Sequence, residues 1–249
     1  MKYNYKLTIS YLGTKYAGWQ RQPNQLTIQQ VIEDNLEVII KDKVRIHASG
    51  RTDAGVHAYG QVAHFKIKKY IEPEKIKRYL NATLPKDIAI KECKQVPLKF
   101  HARFSAKGKS YLYKIYKHPD PFLYKRAWYI SQDLDILKIK EAVDLIKNSP
   151  NLIALSKKGE YLREDVDLRE FSFKYDGFLL EFELSASHFL RYMVRKIIGH
   201  VIHVGTGRID LNTLKEIIDS KDPTKALFLA PPEGLYLKEV YYLPEDETL

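Results

Sequence analysis

Tyr5-Lys6-Leu7-Thr8-Ile9-Ser10-Tyr11 alternates apolar and polar side chains at every step, the period of a β-strand with one face on a core. Further on, Thr27-Ile28-Gln29-Gln30 sets a hydroxyl cap before a glutamine three residues later, the pattern of a capping box. It opens a stretch in which Ile28, Val31, Ile32, Leu36, Ile39 and Ile40 recur with helical spacing. Val44 to Ala48 predicts a short strand. Ala63, Phe65 and Ile67 then alternate with His64, Lys66 and Lys68 in another. Pro73 is a residue type suited to a first helical turn, with Ile76, Tyr79 and Leu80 forming the apolar side, and Ile88 to Val96 predicts a closing strand. The order β-α-β-β-α-β is that of a ferredoxin-like unit.

The second half repeats the rhythm loosely. Tyr111 to Tyr116 and Trp128-Tyr129-Ile130 predict strands, and Ile136, Ile139, Val143 and Ile146 a helix. Leu168 to Phe173 and Leu179 to Leu184 predict a strand pair turning at Asp176-Gly177. An apolar helix is expected over Phe189 to Val204, stopped by Gly205-Thr206-Gly207. A short helix over Leu211 to Ile218 and a strand over Leu235 to Tyr242 follow. The expected class is α+β: two ferredoxin-like halves, 1–105 and 106–249, forming a broad mixed sheet with helices on one face and a catalytic cleft between the halves.

Composition narrows the function. The chain has 249 residues, 45% of them hydrophobic, as a folded globular protein requires. A net charge of +10 and 18 tyrosines favour a polyanion that offers bases to stack on, namely nucleic acid. A single cysteine, Cys93, precludes an internal disulfide and a cysteine-rich zinc site. No apolar run has the length of a membrane span, and Met1-Lys2-Tyr3-Asn4-Tyr5-Lys6 lacks the apolar core of a signal peptide. A cytoplasmic location is expected.

The segment with most chemistry is Gly50-Arg51-Thr52-Asp53-Ala54-Gly55-Val56-His57-Ala58. It sets a carboxylate in a glycine-bounded turn, the kind of loop that carries function. The glycine spacing is that of a phosphate loop, but Val56-His57 stands where Lys-Ser/Thr is required, which argues against nucleoside triphosphate binding. His188, Arg191 and Arg195 are spaced to share one helical face. Arg195, among Met193, Val194, Ile197 and Ile198, either meets an acid or snorkels to solvent; spacing does not choose. Tyr111 follows the basic Lys107-Gly108-Lys109 and either stacks on a base or packs as a strand tyrosine. His200 and His203 have no third ligand nearby, so no metal site is expected.

These stretches together resemble the TruA-type tRNA pseudouridine synthases. Besides the Asp53 segment, the resemblance rests on Gly18-Trp19-Gln20-Arg21-Gln22, on Leu80-Asn81-Ala82-Thr83-Leu84-Pro85, and on Phe100-His101-Ala102-Arg103-Phe104-Ser105-Ala106. It continues through Lys109-Ser110-Tyr111-Leu112-Tyr113, Phe189-Leu190-Arg191-Tyr192-Met193-Val194-Arg195 and Ala230-Pro231-Pro232-Glu233-Gly234-Leu235. The resemblance implies that Asp53 is the catalytic aspartate, Tyr111 lies against the target uracil, Arg195 pairs with the aspartate, and Arg51 helps displace the flipped base. It implies isomerisation of uridines 38 to 40 in the tRNA anticodon stem-loop by a homodimer without cofactor or metal. Arg21, His57, Arg103, Lys109 and Arg191 are further candidate RNA contacts. One departure stands out: the family's His-Asp-Phe segment is replaced by Asn151-Leu152-Ile153-Ala154-Leu155-Ser156. Two rival readings share the charge and fold: a non-catalytic RNA-binding protein, and a synthase of this family with other tRNA sites.

Overall fold

A computed structural model describes residues 2–159 and 164–248. The class is α+β. Packing divides the chain into two compact units, Met1–Lys109 with Tyr236–Leu249, and Ser110–Leu235. The sequence reading placed the boundary near residue 105 and assigned everything after it to the second half. The last stretch instead joins the first unit, because a strand starting at Leu235 pairs in parallel with one starting at His57, through His57↔Tyr236 and Ala58↔Leu237.

In the first unit the chain runs β1 (Tyr3–Tyr11), α1 (Ile28–Ile40), β2 (His47–Ala48), β3 (His57–Ile67), α2 (Pro73–Thr83) and β4 (Ile88–Val96). β1 lies between β4 and β3, antiparallel to both, and β2 pairs with β3 at His47↔His64. That is the strand arrangement of the ferredoxin-like unit. Thr27 caps α1 by accepting from the Gln30 N–H, and Ile28, Ile32 and Leu36 are fully buried. Glu72 caps α2, whose Ile76 and Leu80 face the same core. β2 is shorter than the expected Val44–Ala48; the Ile46 N–H bonds the Glu33 carboxylate instead of a strand partner.

The alternation in β1 and β3 correctly marks one buried face, but the polar face is covered too. Asn4 is buried and donates to the Pro97 and Phe100 carbonyls, and Lys6 is buried against Glu247. The Tyr242 hydroxyl donates to the Ala102 carbonyl at 2.6 Å. The segment after β4 and the chain's last residues thus roof what would otherwise be a wet sheet face.

In the second unit β5 (Gly108–Tyr116, from Ser110 on), β6 (Trp128–Tyr129), α3 (Ile136–Lys147), β7 (Leu168–Tyr175), β8 (Leu179–Ala186), α4 (Met193–Gly205) and α5 (Leu211–Asp219) follow in order. β8 lies between β5 and β7, and β6 adds in parallel to β5. Asp176 accepts from the Phe178 and Leu179 N–H groups and Gly177 takes φ +95°, which closes the β7–β8 turn. Ile153–Leu155 forms one 3₁₀ turn with Ala154 and Leu155 buried. The strand Leu235–Tyr241 is β9, and Pro244–Glu247 is a last helical turn, α6. No helix among the described residues is long and apolar enough to cross a membrane.

Two buried histidines make the fold acid-sensitive. Burial pushes His200 and His64 each down to about 4. An unfolded chain protonates them near the ordinary value of about 6.5, so it binds more protons than the native state between the two values. Stability therefore falls as pH drops through that window. The expected loss from pH 7 to pH 5 is roughly 2 kcal/mol for each histidine. Urea midpoints at the two pH values measure it, and His200→Gln should flatten the dependence.

Candidate active site

Asp53 occupies the loop 49–56 between β2 and β3, and four other segments of the first unit hold that loop. The Val56 N–H donates to the Asp53 carbonyl at 3.2 Å, and Gly55 has φ +78°. A type II turn needs such a residue at its third position, which explains the glycine. The Thr52 carbonyl accepts from the Trp19 N–H at 3.1 Å, and its hydroxyl lies 2.8 Å from that of Tyr11. Burial pushes the Tyr11 phenol up to about 12, so it stays a neutral hydrogen-bonding strut.

Two glycines let the backbone close in on this turn. Gly18 has φ +88°, and a Cβ there would stand 2.5 Å from the Thr52 carbonyl oxygen. A Cβ on Gly13 would overlap the Val56 carbonyl oxygen. The Gly13 N–H also donates to Nδ1 of His57 at 2.9 Å. On the other flank, buried Gln61 accepts from the Ser49 hydroxyl and donates to the Gly50 carbonyl, both at 2.9 Å. The Lys109 ammonium donates to the Ser49 carbonyl at 2.6 Å, and a Cβ on Gly50 would meet it at 2.5 Å. Burial, with Arg103 adding repulsion, pushes Lys109 down to about 8. The result is a carboxylate on a backbone that cannot shift without breaking several long-range bonds, as catalytic positioning requires.

In the second unit Tyr111 lies on β5, its ring edge-on to Phe189 at 5.1 Å and 89°. Tyr113 behind it is fully buried and donates to the Pro231 carbonyl at 2.7 Å. Gly234 is glycine because a Cβ would sit 2.6 Å from the Tyr113 ring. Arg195 is buried, at 9% exposure, in the first turn of α4. Its Nε donates to the Ala230 carbonyl at 2.7 Å, and its own carbonyl accepts from the Ala230 N–H at 3.0 Å. A Cβ on Gly199 would lie 2.7 Å from the Phe228 carbonyl oxygen. The stretches 193–199 and 228–235 therefore interlock backbone to backbone and fix the direction of the Arg195 guanidinium.

The expected helix over Phe189 to Val204 starts only at Met193. Tyr192 takes φ +64° with no side-chain cap, a left-handed conformation that interrupts a helix. His188 and Arg191 thus precede the helix and do not share a helical face with Arg195. The Arg191 carbonyl accepts from the Lys157 N–H instead, and the cations of Arg191, Arg195 and Lys157 lie 5.1, 5.4 and 5.6 Å from the Tyr192 ring centre.

The other candidates are scattered. Arg51 is exposed beside Asp53, and Arg103 and Arg191 are exposed. Arg21 forms ion pairs with Glu33 at 3.1 Å and Asp34 at 3.3 Å. His57, expected as an RNA contact, is fully buried with its ring against Tyr236 at 4.6 Å. Its place is inside, because the parallel β3–β9 pairing covers it. Sequence reasoning gave no bracing role to Tyr11, Gly13, Gly18 or Gln61, although Gly18 opens one quoted motif and Gly60-Gln61-Val62 follows the Asp53 motif of the resemblance.

The family profile described as tRNA pseudouridine synthase matches residues 7–105 and 153–243. Three relatives, each named tRNA pseudouridine synthase A, align over almost the whole chain. That of Methylacidiphilum infernorum is 39% identical, covering 98% of this chain and 97% of its own. That of Aquifex aeolicus is 37% identical, with coverages of 95% and 98%. That of Ruminiclostridium cellulolyticum is 39% identical, with the same two coverages.

Proposed function

The chain belongs to the tRNA pseudouridine synthase family, and on that premise we propose that it isomerises uridines 38 to 40 of the tRNA anticodon stem-loop, with Asp53 as the catalytic carboxylate. The reaction breaks the bond from uracil N1 to ribose C1′, turns the base, and rejoins it through C5. Nothing is oxidised or hydrolysed, so the side chains must supply a nucleophile or base, a partner for it, and a surface on which the loose uracil turns.

The observation that carries the reading is the braced turn at Asp53. A carboxylate held on a rigid backbone serves either route open to it: attack on C1′, or removal of a ribose proton to give a glycal. In this reading Arg195 is the cationic partner of the Asp53 carboxylate. Its Nε bond to Ala230 supports that role by fixing the guanidinium. Tyr111 holds the uracil face, its own ring propped by Phe189. A phenol, with a pKa near 10, is a weak base at neutral pH, so positioning is its main task.

The target base is stacked in a stem and must be flipped, at a cost of a few kcal/mol. Phosphate contacts from the basic surface offset that cost, with Arg51, Arg103 and Arg191 as exposed candidates. A cytoplasmic homodimer without cofactor completes the reading. The test is carbodiimide mapping of pseudouridine in tRNA from a deletion strain and after incubation with purified protein. Loss and restoration at positions 38 to 40 are expected. Restoration elsewhere would reassign the site, and no conversion at all would leave only RNA binding.

A further inference from the structure

Phe104 is 73% exposed, and its ring is held in place. The Arg103 and Phe104 N–H groups both turn onto Nδ1 of His101, at 3.1 and 3.4 Å. This keeps that imidazole neutral and locks its orientation. The His101 ring lies against Phe104 at 4.3 Å, and the Arg103 guanidinium stands 5.8 Å from the Phe104 ring centre. Behind His101 lies His64 at 4.4 Å, its own Nδ1 accepting from the Ala102 N–H, and His47 is 5.9 Å away.

The surroundings are cationic. Arg45 and Lys66 act on His47, opposed by Glu33, while Lys66 and Arg103 act on His101. Glu33 is itself bound to Arg21, Gln29 and the Ile46 N–H. Arg103 also acts on Lys109, whose ammonium holds the Ser49 carbonyl at the start of the Asp53 loop. The aromatic turn is therefore coupled through Lys109 to the loop that carries Asp53, inside one compact unit.

We propose that Phe104, flanked by Arg103 and His101 and rimmed by Arg45, His47 and Lys66, is a platform on which an unpaired nucleotide of the tRNA stacks while its phosphates meet the rim. A fixed aromatic face among cations is what single-stranded nucleic acid recognises. A second copy of this chain fits less well, because its net charge of +10 opposes a rim of the same sign. The inference rests on tRNA being the substrate.

Three proteins test it: wild type, Phe104→Ala and Phe104→Trp, each measured for binding of unmodified tRNA and for single-turnover conversion at saturation. Phe104→Ala should weaken binding about tenfold or more, the range of one lost base–aromatic stack, with the saturated rate within twofold of wild type. Phe104→Trp should restore affinity. The salt dependence should keep its slope in Phe104→Ala, where no phosphate contact is lost, and fall by about one in Lys66→Gln. Wild-type affinity in Phe104→Ala overturns the platform, as does a change in sedimentation mass with RNA binding intact, which would give the ring to a second copy. Failure of the wild-type protein itself to bind or convert tRNA would instead remove the reading beneath it.

Discussion

Asp53→Asn binds tRNA with near wild-type affinity and leaves its uridines unchanged; this is the largest effect expected of any single substitution. Asparagine keeps the side chain's shape and its place in the turn, so the Val56–Asp53 and Trp19–Thr52 backbone bonds are retained. What is lost is the charge, and with it both the nucleophile and the base that the proposed reaction requires. Removing such a group costs at least about 10³-fold in rate. Release of tritium from C5-labelled uridine in tRNA measures the loss, and filter binding measures the retained affinity. Normal release would remove Asp53 from the chemistry, and loss of binding would make its role electrostatic or structural.

Gly18→Ala should be nearly as damaging to activity, for a mechanical reason. Its φ of +88° puts a Cβ 2.5 Å from the Thr52 carbonyl oxygen and 3.0 Å from the Asp53 carbonyl carbon. These are backbone atoms, so no side chain can swing away to make room. Left-handed strain costs about 1–2 kcal/mol, and overpacking adds about 1–3. At roughly 2–4 °C per kcal/mol for a chain of this size, melting should fall by about 5–15 °C. The loop that carries Asp53 must shift, and a displacement near 1 Å costs about 10²-fold in rate. Gly177→Ala is the control. It has φ +95° but nothing within 4 Å of an added Cβ, so it should lose only the strain and leave the rate intact. Equal melting losses in the two variants would show that the close approach to the Asp53 loop is unimportant.

How far the sequence reaches depends on how local the deciding force is. The order of strands and helices in the first unit follows from side-chain period and caps, which act within a few residues: Thr27 on Gln30, Glu72 on Lys75. The Asp53 turn is legible for the same reason, since Gly55 answers a dihedral need inside the turn itself. Phe189 and Leu190 extend an apolar pattern that predicts helix before Met193, but Tyr192 at φ +64° interrupts it, and no local rule sets that dihedral. His57 reads as a polar loop residue and lies in the interior, because the strand covering it is drawn from the chain's far end.

Period, charge and motif are carried by neighbouring residues, so the fold class and the family are legible in the chain alone. Tertiary packing is what returns Tyr236–Leu249 to the first unit, sets Gly13, Gly18, Gln61 and Lys109 against the Asp53 loop, and leaves Phe104 exposed among cations. Those outcomes depend on segments far apart in the chain packing against one another. Burial and close backbone approach reward such meetings, but no short stretch of sequence encodes them.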